Sequence, residues 1–560
     1  MLTRRKFIQT SVAAGTLFGL GASHPLSFSH AKVKGSASFD VLIKNGVIYS
    51  GDGRSPIPGD IGIKDGKIAA IGNLGETADQ VLDVNGCAVS PGFIDIHSHT
   101  DTNLLQCPAG DSKLYQGVTT ELGGSCGSGP FPLSDENYAQ QKDTLRFGYP
   151  AWQNADGFFD ALEKNKIGIN YASSTGQGRL RSIAIGNYAV PSTRDQLKQM
   201  KDILIKQLDM GSMGMSSGLE YTPGSYASTE ELVELCKVVA EYNGLFSIHM
   251  RNENDFVEEA LQESIEIARL SGVRIQIAHL KAANTPNWHK VPKLLKMIDN
   301  AVASGVDIAF DRYSYLAFST GLSQFIPVQD RQGTSAESVA RLNDPTKIGE
   351  IRRFAAAKLQ GTGGPKNVLI TSCRHADNLQ YRGKTLQEGA EMAKMEALDF
   401  LFYLLKSENI GGNYFGFAMS EENLQLLYAH RLSMPGSDGS VVSPQGPLSA
   451  GRAHPRSYGT FTRFLGTYVR ERKVVDLQTA IFKMTALPAS RMGLKNRGLL
   501  IPGYQADVVV FNPETVKELA TYTDPHQFGE GIEHVFVNGV WTIKNAKHTG
   551  ALAGSVLRLC

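Results

Sequence analysis

The sequence predicts an α/β fold, in which βα units form a parallel barrel and both ends of the chain form a small β domain. Strand-like and helical stretches alternate between residues 228 and 311 with a period of about thirty residues. Strand-like sequence also occurs at both ends, in residues 39–89 and 506–541. Finally, an apolar run ends in two histidines, which suits the mouth of an α/β barrel, where strand ends form the catalytic site.

The middle of the chain supplies the alternation. Strands are predicted at 245–249, 273–279 and 306–311, and helices at 256–270 and 291–303. A capping box at 228–231 opens a further helix that runs to Tyr242. Residues 320–430 break the rhythm and contain charged helical stretches such as 384–405. We therefore expect a largely helical insertion of about 320–430 near the barrel mouth.

The two ends of the chain read as short strands joined by tight turns. Residues 40–46 end in a hairpin signal, and 60–68 alternate around an Asp-Gly turn. Residues 506–511 and 534–541 are again strand-like, the second with an Asn-Gly turn. These patterns predict one discontinuous β domain made of residues 38–90 and 497–552.

The first residues resemble an export signal rather than part of the fold. Arg4 and Arg5 form a basic pair, a mildly apolar stretch follows at 12–22, and Ser29-His30-Ala31 offers a cleavage site between small residues. We expect residues 1–31 to be a twin-arginine signal peptide. The alternative is a short anchor helix. The expectation implies passage through the twin-arginine translocase and a periplasmic or secreted protein.

Composition excludes several classes of function. The chain has 56 Lys and Arg against 55 Asp and Glu, a net charge of +1, so nothing favours nucleic acid or an anionic membrane as a partner. The six cysteines are scattered without the spacing of a disulfide framework. No apolar stretch after the N-terminus is long enough to span a membrane. A small-molecule substrate is the expected partner.

The sequence FIDIHSHTD at residues 93–101 contains the first candidate ligands. His97 and His99 are two positions apart, so on a strand they share a face. Imidazole is a common ligand for zinc and related metals. The alternative is that both histidines are satisfied by ordinary hydrogen bonds.

Four further residues occupy the same kind of position, at or just after the end of a predicted strand. His249 and His279 each end a strand, Cys126 lies in the Gly-rich turn after 117–122, and Asp438 follows a short strand and Pro-Gly. One strand-end histidine needs no special explanation. Packing alone does not explain four histidines, a cysteine and an aspartate at strand ends of one barrel.

The chain resembles the amidohydrolase superfamily and, within it, the N-acyl-D-amino-acid deacylases (D-aminoacylases). The matching stretches are residues 91–101, 117–127, 218–224, 249–253, 437–439 and 454–461. The His-x-His strand marks the superfamily, whereas the cysteine of the Gly-rich turn and the His-Pro-Arg at 454–456 mark the subfamily. Gln177 departs from the pattern, because a histidine is expected there.

The resemblance implies a (β/α)8 TIM-like barrel over residues 91–496, with the insertion, and a β-sandwich made from both termini. It implies a tight zinc held by Cys126, His249 and His279. It also implies a second, weaker or empty site formed by His97 and His99, with Cys126 bridging. Asp438 would be the general base. Tyr221, Lys281 and Arg456 would bind the substrate carboxylate.

The residue types agree with these roles. A thiolate ligand is soft and charged, which suits zinc better than magnesium. Lys281 lies two residues beyond His279, on the same face if the strand continues, and Arg456 can bind a carboxylate through two hydrogen bonds. Either cation could instead make a structural ion pair, and Tyr221 could be an ordinary core tyrosine.

Three activities remain open at this point. The first is zinc-dependent hydrolysis of N-acyl-D-amino acids. The second is another amidohydrolase reaction, on a cyclic amide as in dihydroorotases and hydantoinases, or on a dipeptide that contains a D-amino acid. The third is a Cys-His hydrolase in which Cys126 is the nucleophile and the histidines are structural. The preference for D-amino acids comes from the resemblance alone.

Overall fold

The computed structural model describes residues 38–75, 77–144 and 151–559. The expected signal peptide, residues 1–31, lies outside the described residues. Among the described residues, no helix is both long and apolar enough to cross a membrane.

The strands, in chain order, are as follows. They are β1 (Phe39–Ile48), β2 (Ile57–Lys64), β3 (Lys67–Gly72), β4 (Ala78–Asp83), β5 (Ala88–Pro91), β6 (Phe93–Asp95), β7 (Val118–Gly123), β8 (Asn170–Ser173), β9 (Thr175–Gly176), β10 (Gly214–Gly218), β11 (Leu245–His249), β12 (Arg274–Ile277), β13 (Ile308–Arg312), β14 (Ala317–Gly321), β15 (Val368–Ser372), β16 (Asn413–Phe417), β17 (Ser433–Pro435), β18 (Val508–Phe511), β19 (Ile532–Val537), β20 (Val540–Lys544) and β21 (Lys547–His548).

The α-helices are α1 (Asn103–Gln106), α2 (Asp111–Leu114), α3 (Asp135–Thr144), α4 (Ala155–Asn165), α5 (Gln177–Ala184), α6 (Arg194–Asp209), α7 (Thr229–Glu241), α8 (Val257–Ser271), α9 (Val291–Ala303), α10 (Ser335–Leu342), α11 (Ile348–Gly361), α12 (Leu386–Ala393), α13 (Ala397–Ser407), α14 (Glu421–Ala429), α15 (Arg456–Arg463), α16 (Leu477–Met484) and α17 (Ala486–Met492). A π-helix, Phe464–Glu471, continues α15. Short 3-10 helices lie at Gly224–Tyr226, Thr285–Lys290, Leu322–Phe325, Val328–Arg331, Pro365–Asn367, Ala376–Tyr381 and Pro447–Ser449.

Strands from both ends of the chain share one nine-stranded sheet. Its order is β21-β20-β19-β18-β5-β1-β2-β3, with β4 paired to β1, and the two ends of the chain meet where β18 runs antiparallel to β5. Side chains of β1, β2, β18 and β19, which are not all neighbours in that order, share one hydrophobic cluster. The sheet therefore curls around a core of its own.

The middle of the chain forms two parallel sheets, of three and six strands. Their orders are β6-β7-β8 and β9-β10-β11-β12-β13-β17. Helices α7, α8 and α9 separate successive strands from β10 to β13, and with α6 they pack on the sheet in one hydrophobic cluster. This arrangement confirms the predicted α/β alternation.

The first and last strands of this series contact each other just beyond their carboxyl ends. Ser98 and Gly439 form a parallel bridge. The His99 N–H donates to the Gly439 carbonyl at 2.8 Å, and the Asp438 N–H donates to the His97 carbonyl at 2.8 Å. Two stretches 340 residues apart in sequence are thereby held side by side, and both carry predicted site residues.

The segment between β13 and β17 contains more than the predicted helices. Helices α10 to α13 pack in a separate hydrophobic cluster with a three-stranded antiparallel sheet of order β14-β16-β15. The strands are only five residues each. Sequence reasoning missed them because such short runs lie among much longer helical stretches, which dominate the pattern.

The last described residues return to the parallel sheet. The Tyr171 N–H on β8 donates to the Ser555 carbonyl at 2.9 Å, and the Leu557 N–H donates to the Tyr171 carbonyl at 2.8 Å. Leu557 and Leu559 pack against the cluster formed by buried side chains of β6, β7, β11 and β17, among others. The ordered chain thus continues beyond residue 552, where the terminal β domain was expected to end.

Candidate metal centre and substrate cavity

Five of the predicted site residues meet because parallel strands end at the same edge. His97 follows β6 by two residues, Cys126 follows β7 by three, and His249 is the last residue of β11. His279 and Asp438 come shortly after β12 and β17. All five are at least nine-tenths buried. Separate strands therefore bring their imidazole, thiol and carboxylate groups into one cluster at the strand ends.

Cys126 is the centre of the cluster. Its Sγ lies 3.5 Å from His97 Nε2, 3.9 Å from His249 Nδ1 and 3.7 Å from His279 Nε2. The two nitrogens of His249 and His279 are 3.0 Å apart. Burial raises the pKa of the Cys126 thiol, but the three imidazoles outweigh burial and hold that pKa well below its usual value. This shift favours the thiolate, which is the form that binds metals.

These separations fit a tetrahedral zinc ion. With Zn–S near 2.3 Å and Zn–N near 2.0–2.1 Å, a tetrahedron places sulfur and nitrogen about 3.6 Å apart and two nitrogens about 3.3 Å apart. The Cys126 Sγ to His249 and His279 distances of 3.9 and 3.7 Å and the nitrogen pair at 3.0 Å lie within about 0.3 Å of those values. Three protein donors leave one tetrahedral position for water or substrate, as in catalytic zinc sites.

The second ring nitrogen of His249 supports this assignment. His249 Nε2 is buried and has no hydrogen-bond partner in the described part of the chain. It lies 3.7 Å from Glu253 Oε2 and 3.8 Å from Glu220 Oε2. Metal-binding histidines usually direct their second N–H towards a carboxylate, which fixes the ring. Glu220 and Glu253 occupy that place, although sequence reasoning gave neither a role.

A second group of donors lies beside the first. Asp438 Oδ1 is 3.0 Å from His99 Nε2 and 3.4 Å from His97 Nε2. On its other side, His97 Nδ1 is 3.0 Å from Asp311 Oδ1, which also accepts the His279 N–H at 2.8 Å. Asp311 therefore orients the His97 ring and holds the backbone at His279. Burial opposes ionisation of Asp438, but Arg456 and the histidines hold its pKa well below the usual range.

Three of these residues have backbone conformations that are rare for residues with side chains. The φ angles are +52° at Cys126, +34° at His279 and +49° at Asp438. Left-handed backbone at residues other than glycine costs about 1–3 kcal/mol and persists where surrounding structure enforces it, often at functional sites. The fold thus aims a thiolate, an imidazole and a carboxylate at one point.

The donors open into a cavity of about 750 Å³ that is also lined by Tyr221, Lys281 and Arg456. Arg456 Nη1 lies 2.6 Å from Asp438 Oδ2. Lys281 Nζ lies 2.5 Å from Glu253 Oε2. Both predicted carboxylate-binding cations therefore face the cavity, and each already contacts a carboxylate of the protein.

Tyr221 lies beside His249, and His454 lies beside Arg456. The ring centroids of Tyr221 and His249 are 4.8 Å apart with the planes tilted by 55°, and the Tyr221 hydroxyl is 3.4 Å from Thr320 Oγ1 in the insertion. His454 Nδ1 accepts the Arg456 N–H at 3.1 Å, while its Nε2 is 3.0 Å from the Ala317 carbonyl. Burial, reinforced by Arg456, holds the pKa of His454 well below 6.5, so the ring is neutral and ties α15 to the insertion.

Gln177, where a histidine was expected, lies apart from the cavity. Its side chain is buried, 3.3 Å from Ser217 Oγ and 3.5 Å from Glu231 Oε1. Gln177 is not among the residues that line the cavity. The departure at this position therefore leaves the donor cluster unchanged.

Beneath the donors lies a cluster of buried charges that sequence reasoning missed. Lys113 Nζ is 2.9 Å from Asp95 Oδ2, 2.6 Å from Glu121 Oε1 and 2.8 Å from Ser437 Oγ. Asp95 Oδ1 accepts the Ser437 N–H at 2.8 Å. Lys113, Asp95 and Glu121 are all completely buried. This lysine cluster (Lys113, Asp95, Glu121) joins β6 and β7 to the turn that presents Asp438.

Comparison with known proteins identifies the family to which the chain belongs. Residues 80–543 match the profile of the amidohydrolase family. The D-aminoacylase of Alcaligenes xylosoxydans xylosoxydans is 34% identical over 525 residues, which cover 93% of this chain and 98% of that protein. The N-acyl-D-glutamate deacylase of the same organism is 35% identical over 503 residues, 89% of this chain and 93% of that protein.

Solved structures agree. The N-acyl-D-glutamate deacylase of Bordetella bronchiseptica, crystallised with zinc and a phosphonate that mimics the tetrahedral intermediate, superposes with a TM-score of 0.79 at 32% identity. A structure of D-aminoacylase gives a TM-score of 0.78 at 31% identity. Its description concerns a binuclear metal centre, with activation by one metal and attenuation by the second. Each comparison covers 93% of this chain and 100% of the other. The chain belongs to the amidohydrolase family.

Proposed function

We propose that this protein uses zinc to hydrolyse the amide bond of N-acyl-D-amino acids, releasing a carboxylate and a free D-amino acid. One observation carries the proposal: Cys126 Sγ and the near ring nitrogens of His249 and His279 lie 3.0–3.9 Å from one another in one cavity, and Asp438 lies within 4.8 Å of the Cys126 and His279 donors. The full-length relatives named for deacylation of D-amino acids supply the substrate class and its stereochemistry.

The protein's own groups have distinct tasks in this reaction. Zinc, when bound, polarises the amide carbonyl and lowers the pKa of water from 15.7 to about 7. Asp438 takes the proton of the attacking water and then delivers it to the leaving amine. His97 and His99, 3.4 and 3.0 Å from its Oδ1, hold the carboxylate in place for both transfers.

Substrate recognition falls to three residues of the cavity. Arg456 binds the α-carboxylate through its guanidinium, which can form two parallel hydrogen bonds. Lys281 adds a second positive charge, and Tyr221 offers a hydroxyl beside His249. In the structure both cations contact protein carboxylates, so binding exchanges those contacts for contacts with the substrate.

The tight zinc site is Cys126, His249 and His279. A second, weaker site would be held by His97 and His99 together with Cys126, whose Sγ is also 3.5 Å from His97 Nε2. A binuclear centre in D-aminoacylase, with one-metal activation and second-metal attenuation, supports this order of affinity.

The architecture we infer is a (β/α)8 barrel with a β-sandwich domain and an insertion subdomain. The eight strands are β6, β7, β8 continued by β9, β10, β11, β12, β13 and β17, and the contacts of Ser98 and His99 with Gly439 support closure between the first and the last. The nine-stranded sheet at 38–90 and 497–552 supports the terminal domain. The segment of about 320–430 is the insertion.

A panel of substrates tests the activity. We expect zinc-loaded protein to release amine from N-acetyl-D-amino acids and little or none from the L enantiomers, a cyclic hydantoin or a dipeptide with a D-residue. Amine detection gives the rates, and ring opening is followed by absorbance. Faster turnover of the hydantoin or the dipeptide would replace the proposal with the corresponding amidohydrolase reaction.

Chelation tests the role of Cys126. Activity that is lost to a chelator and restored by zinc supports the metal centre. Activity that survives chelation but is lost on thiol alkylation would instead make Cys126 the nucleophile of a Cys-His hydrolase.

We also propose export through the twin-arginine pathway, which rests on Arg4, Arg5 and the cleavage motif at 29–31. The mature protein would then act in the periplasm or outside the cell. Exchanging Arg4 and Arg5 together for Lys should leave the precursor in the cytoplasm, as judged by fractionation and precursor size. Normal export of that double variant would indicate the general secretory route.

A further inference from the structure

The insertion gives the cavity a polar wall. The residues it contributes include Thr320, Gln324, Lys358, Thr371, Asn413 and Tyr414. The rim at residues 442–453 contributes apolar side chains such as Val442, Pro447 and Leu448, together with Arg452. A ligand that fills the cavity therefore meets polar groups on the insertion side. A pocket for an aliphatic side chain would instead be lined by hydrocarbon.

Lys358, near the end of α11, is the cation of this polar wall. Among the described residues no carboxylate lies within ion-pair distance of Lys358, whereas Lys281 and Arg456 in the same cavity each contact one. The Lys358 side chain is half-buried. Withdrawing a charge from water without a partner is costly, so an unpaired ammonium facing a cavity indicates a place for an anion.

A second, independent observation comes from β16. The Tyr414 side chain lines the same cavity, is completely buried, and its hydroxyl has no hydrogen-bond partner in the described part of the chain. Its ring is held by Phe325 and Phe318, with centroids 5.0 and 5.7 Å away. Buried hydroxyls nearly always have a partner, so this one suggests a ligand atom.

Both groups belong to one part of the cavity. Burial lowers the pKa of Lys358, and the Glu220 carboxylate opposes that shift. Burial raises the pKa of Tyr414, and Glu220 raises it further. Arg331, whose Nη1 donates to the Glu220 carbonyl at 3.1 Å, adds a buried cation with an unpartnered Nε. Glu253, paired with Lys281, also acts on Lys358. Three cations, Lys358, Arg331 and Lys281, therefore share this corner with two carboxylates, Glu220 and Glu253, and outnumber them by one.

We propose that Lys358, assisted by the Tyr414 hydroxyl, binds a second carboxylate of the substrate, so that the preferred substrates are N-acyl amino acids with one negative charge beyond the α-carboxylate. This rests on the proposed deacylase function. The second carboxylate belongs to the amino-acid side chain or to a dicarboxylic acyl group, and these sources share the same chemistry at Lys358.

Four substrates, tested on the wild-type enzyme, distinguish a second carboxylate on the amino-acid side chain from one on the acyl group. N-acetyl-D-glutamate and N-acetyl-D-glutamine differ only in the side-chain charge. N-succinyl-D-leucine and N-acetyl-D-leucine test a charge on the acyl group. We expect kcat/KM to be higher by about 10- to 100-fold for the doubly charged member of one pair, the range for a hydrogen bond to a charged group. The pair that shows the preference identifies the source of the carboxylate.

Lys358→Met tests the residue itself, since methionine keeps much of the length and removes the charge. It should abolish that preference and leave the singly charged substrates within about 3-fold of wild type. Arg353→Met is the matched control, because Arg353 lies on the same helix, is exposed and does not line the cavity. The control should keep the full preference.

Binding of products separates this inference from the proposed function. D-glutamate and D-glutamine, titrated calorimetrically into wild type and Lys358→Met, report the anion site without turnover. A protein that deacylates neutral and acidic substrates equally, and whose ratios Lys358→Met leaves unchanged, overturns the anion site and leaves the deacylase standing. A protein that hydrolyses none of the four but binds D-glutamate through Lys358 overturns the deacylase alone.

Discussion

Two buried clusters of ionisable groups lie next to each other in this protein, and they are built differently. In the donor cluster, Cys126, His249 and His279 face a cavity, and His249 Nε2 has no hydrogen-bond partner among the described residues. In the lysine cluster, Lys113 is enclosed by Asp95 and Glu121 at 2.9 and 2.6 Å, with no exposure to solvent. The groups of the donor cluster therefore remain available to a ligand, whereas those of the lysine cluster are paired with one another.

The two clusters differ in their effect on the stability of the folded chain. The donor cluster combines left-handed backbone at Cys126 and His279 with crowded imidazoles, both of which cost free energy unless a ligand compensates. The lysine cluster holds the strands and the turn beneath those donors. Substitutions in the first should therefore change metal content and rate, whereas substitutions in the second should change stability. Variants in each of the two clusters test that division.

Cys126→Ala should remove most of the bound zinc and, with it, the activity. The thiolate contacts three imidazoles and is the one soft, charged donor among them. Zinc per chain, measured by elemental analysis, should fall from about one or two to well below one. Cys236→Ala is the matched control, because Cys236 is completely buried on α7 away from the cavity. Full zinc and activity in Cys126→Ala would show the cysteine assignment to be wrong.

Asp438→Asn should lower kcat by at least roughly 10²-fold, the lower end of general acid–base contributions, because asparagine keeps the shape and removes the proton acceptor. KM should change little, since Lys281 and Arg456 remain. Zinc content should stay near wild type, because the tight site does not use this carboxylate. An Asp438→Asn enzyme with a normal kcat sinks the proposed mechanism, and loss of zinc would make Asp438 a ligand.

Both predictions concern residues that could be identified from the sequence, because each lies in a short stretch with a recognisable pattern. His97, His249, His279 and Asp438 each terminate or closely follow a short apolar run, a pattern visible in a single stretch. Parallel strands then bring them together whatever the details of the intervening helices. The alternation of strands and helices was visible for the same reason.

The residues that sequence reasoning missed depend on contacts across the fold. Asp311 lies one residue before the end of β13 and could have been grouped with the residues at the other strand ends, but a lone aspartate there carries no special signal. Lys113 reads as one charge in a short helix, and only the fold brings it to Ser437, 324 residues away. The partners of Lys281 and Arg456, Glu253 and Asp438, were equally invisible, because ion pairs between loops leave no local pattern.

Lys113→Met should destabilise the protein without changing its chemistry. Removing the ammonium leaves two buried carboxylates with nothing to neutralise them, and breaking such a buried pair costs about 3–5 kcal/mol. The urea midpoint should fall accordingly, while kcat of the folded enzyme and its zinc content stay within about 3-fold of wild type. Lys198→Met, at an exposed i,i+4 pair with Asp202, is the control and should cost under about 0.5 kcal/mol. Equal stability of the two variants would contradict the structural role of the lysine cluster.

The smallest effect concerns the proton of Glu121. Burial raises its pKa from 4.5 to about 7, although Lys113 opposes the shift. With one ammonium and two carboxylates enclosed, a proton on Glu121 makes the lysine cluster neutral. Because the folded pKa lies above the unfolded one, this proton stabilises the native state fully below pH 4.5, and that contribution is lost as pH rises through about 7.

Glu121→Gln keeps a neutral side chain at every pH, so its stability relative to wild type should improve between pH 5 and 8, by on the order of 1–3 kcal/mol. Urea midpoints of both proteins, measured across that range, give the difference directly. Glu230→Gln, at an exposed helix start, should show no such trend. If the Glu121→Gln and wild-type curves run parallel, Glu121 is ionised throughout, and the lysine cluster holds a net negative charge beneath the metal donors.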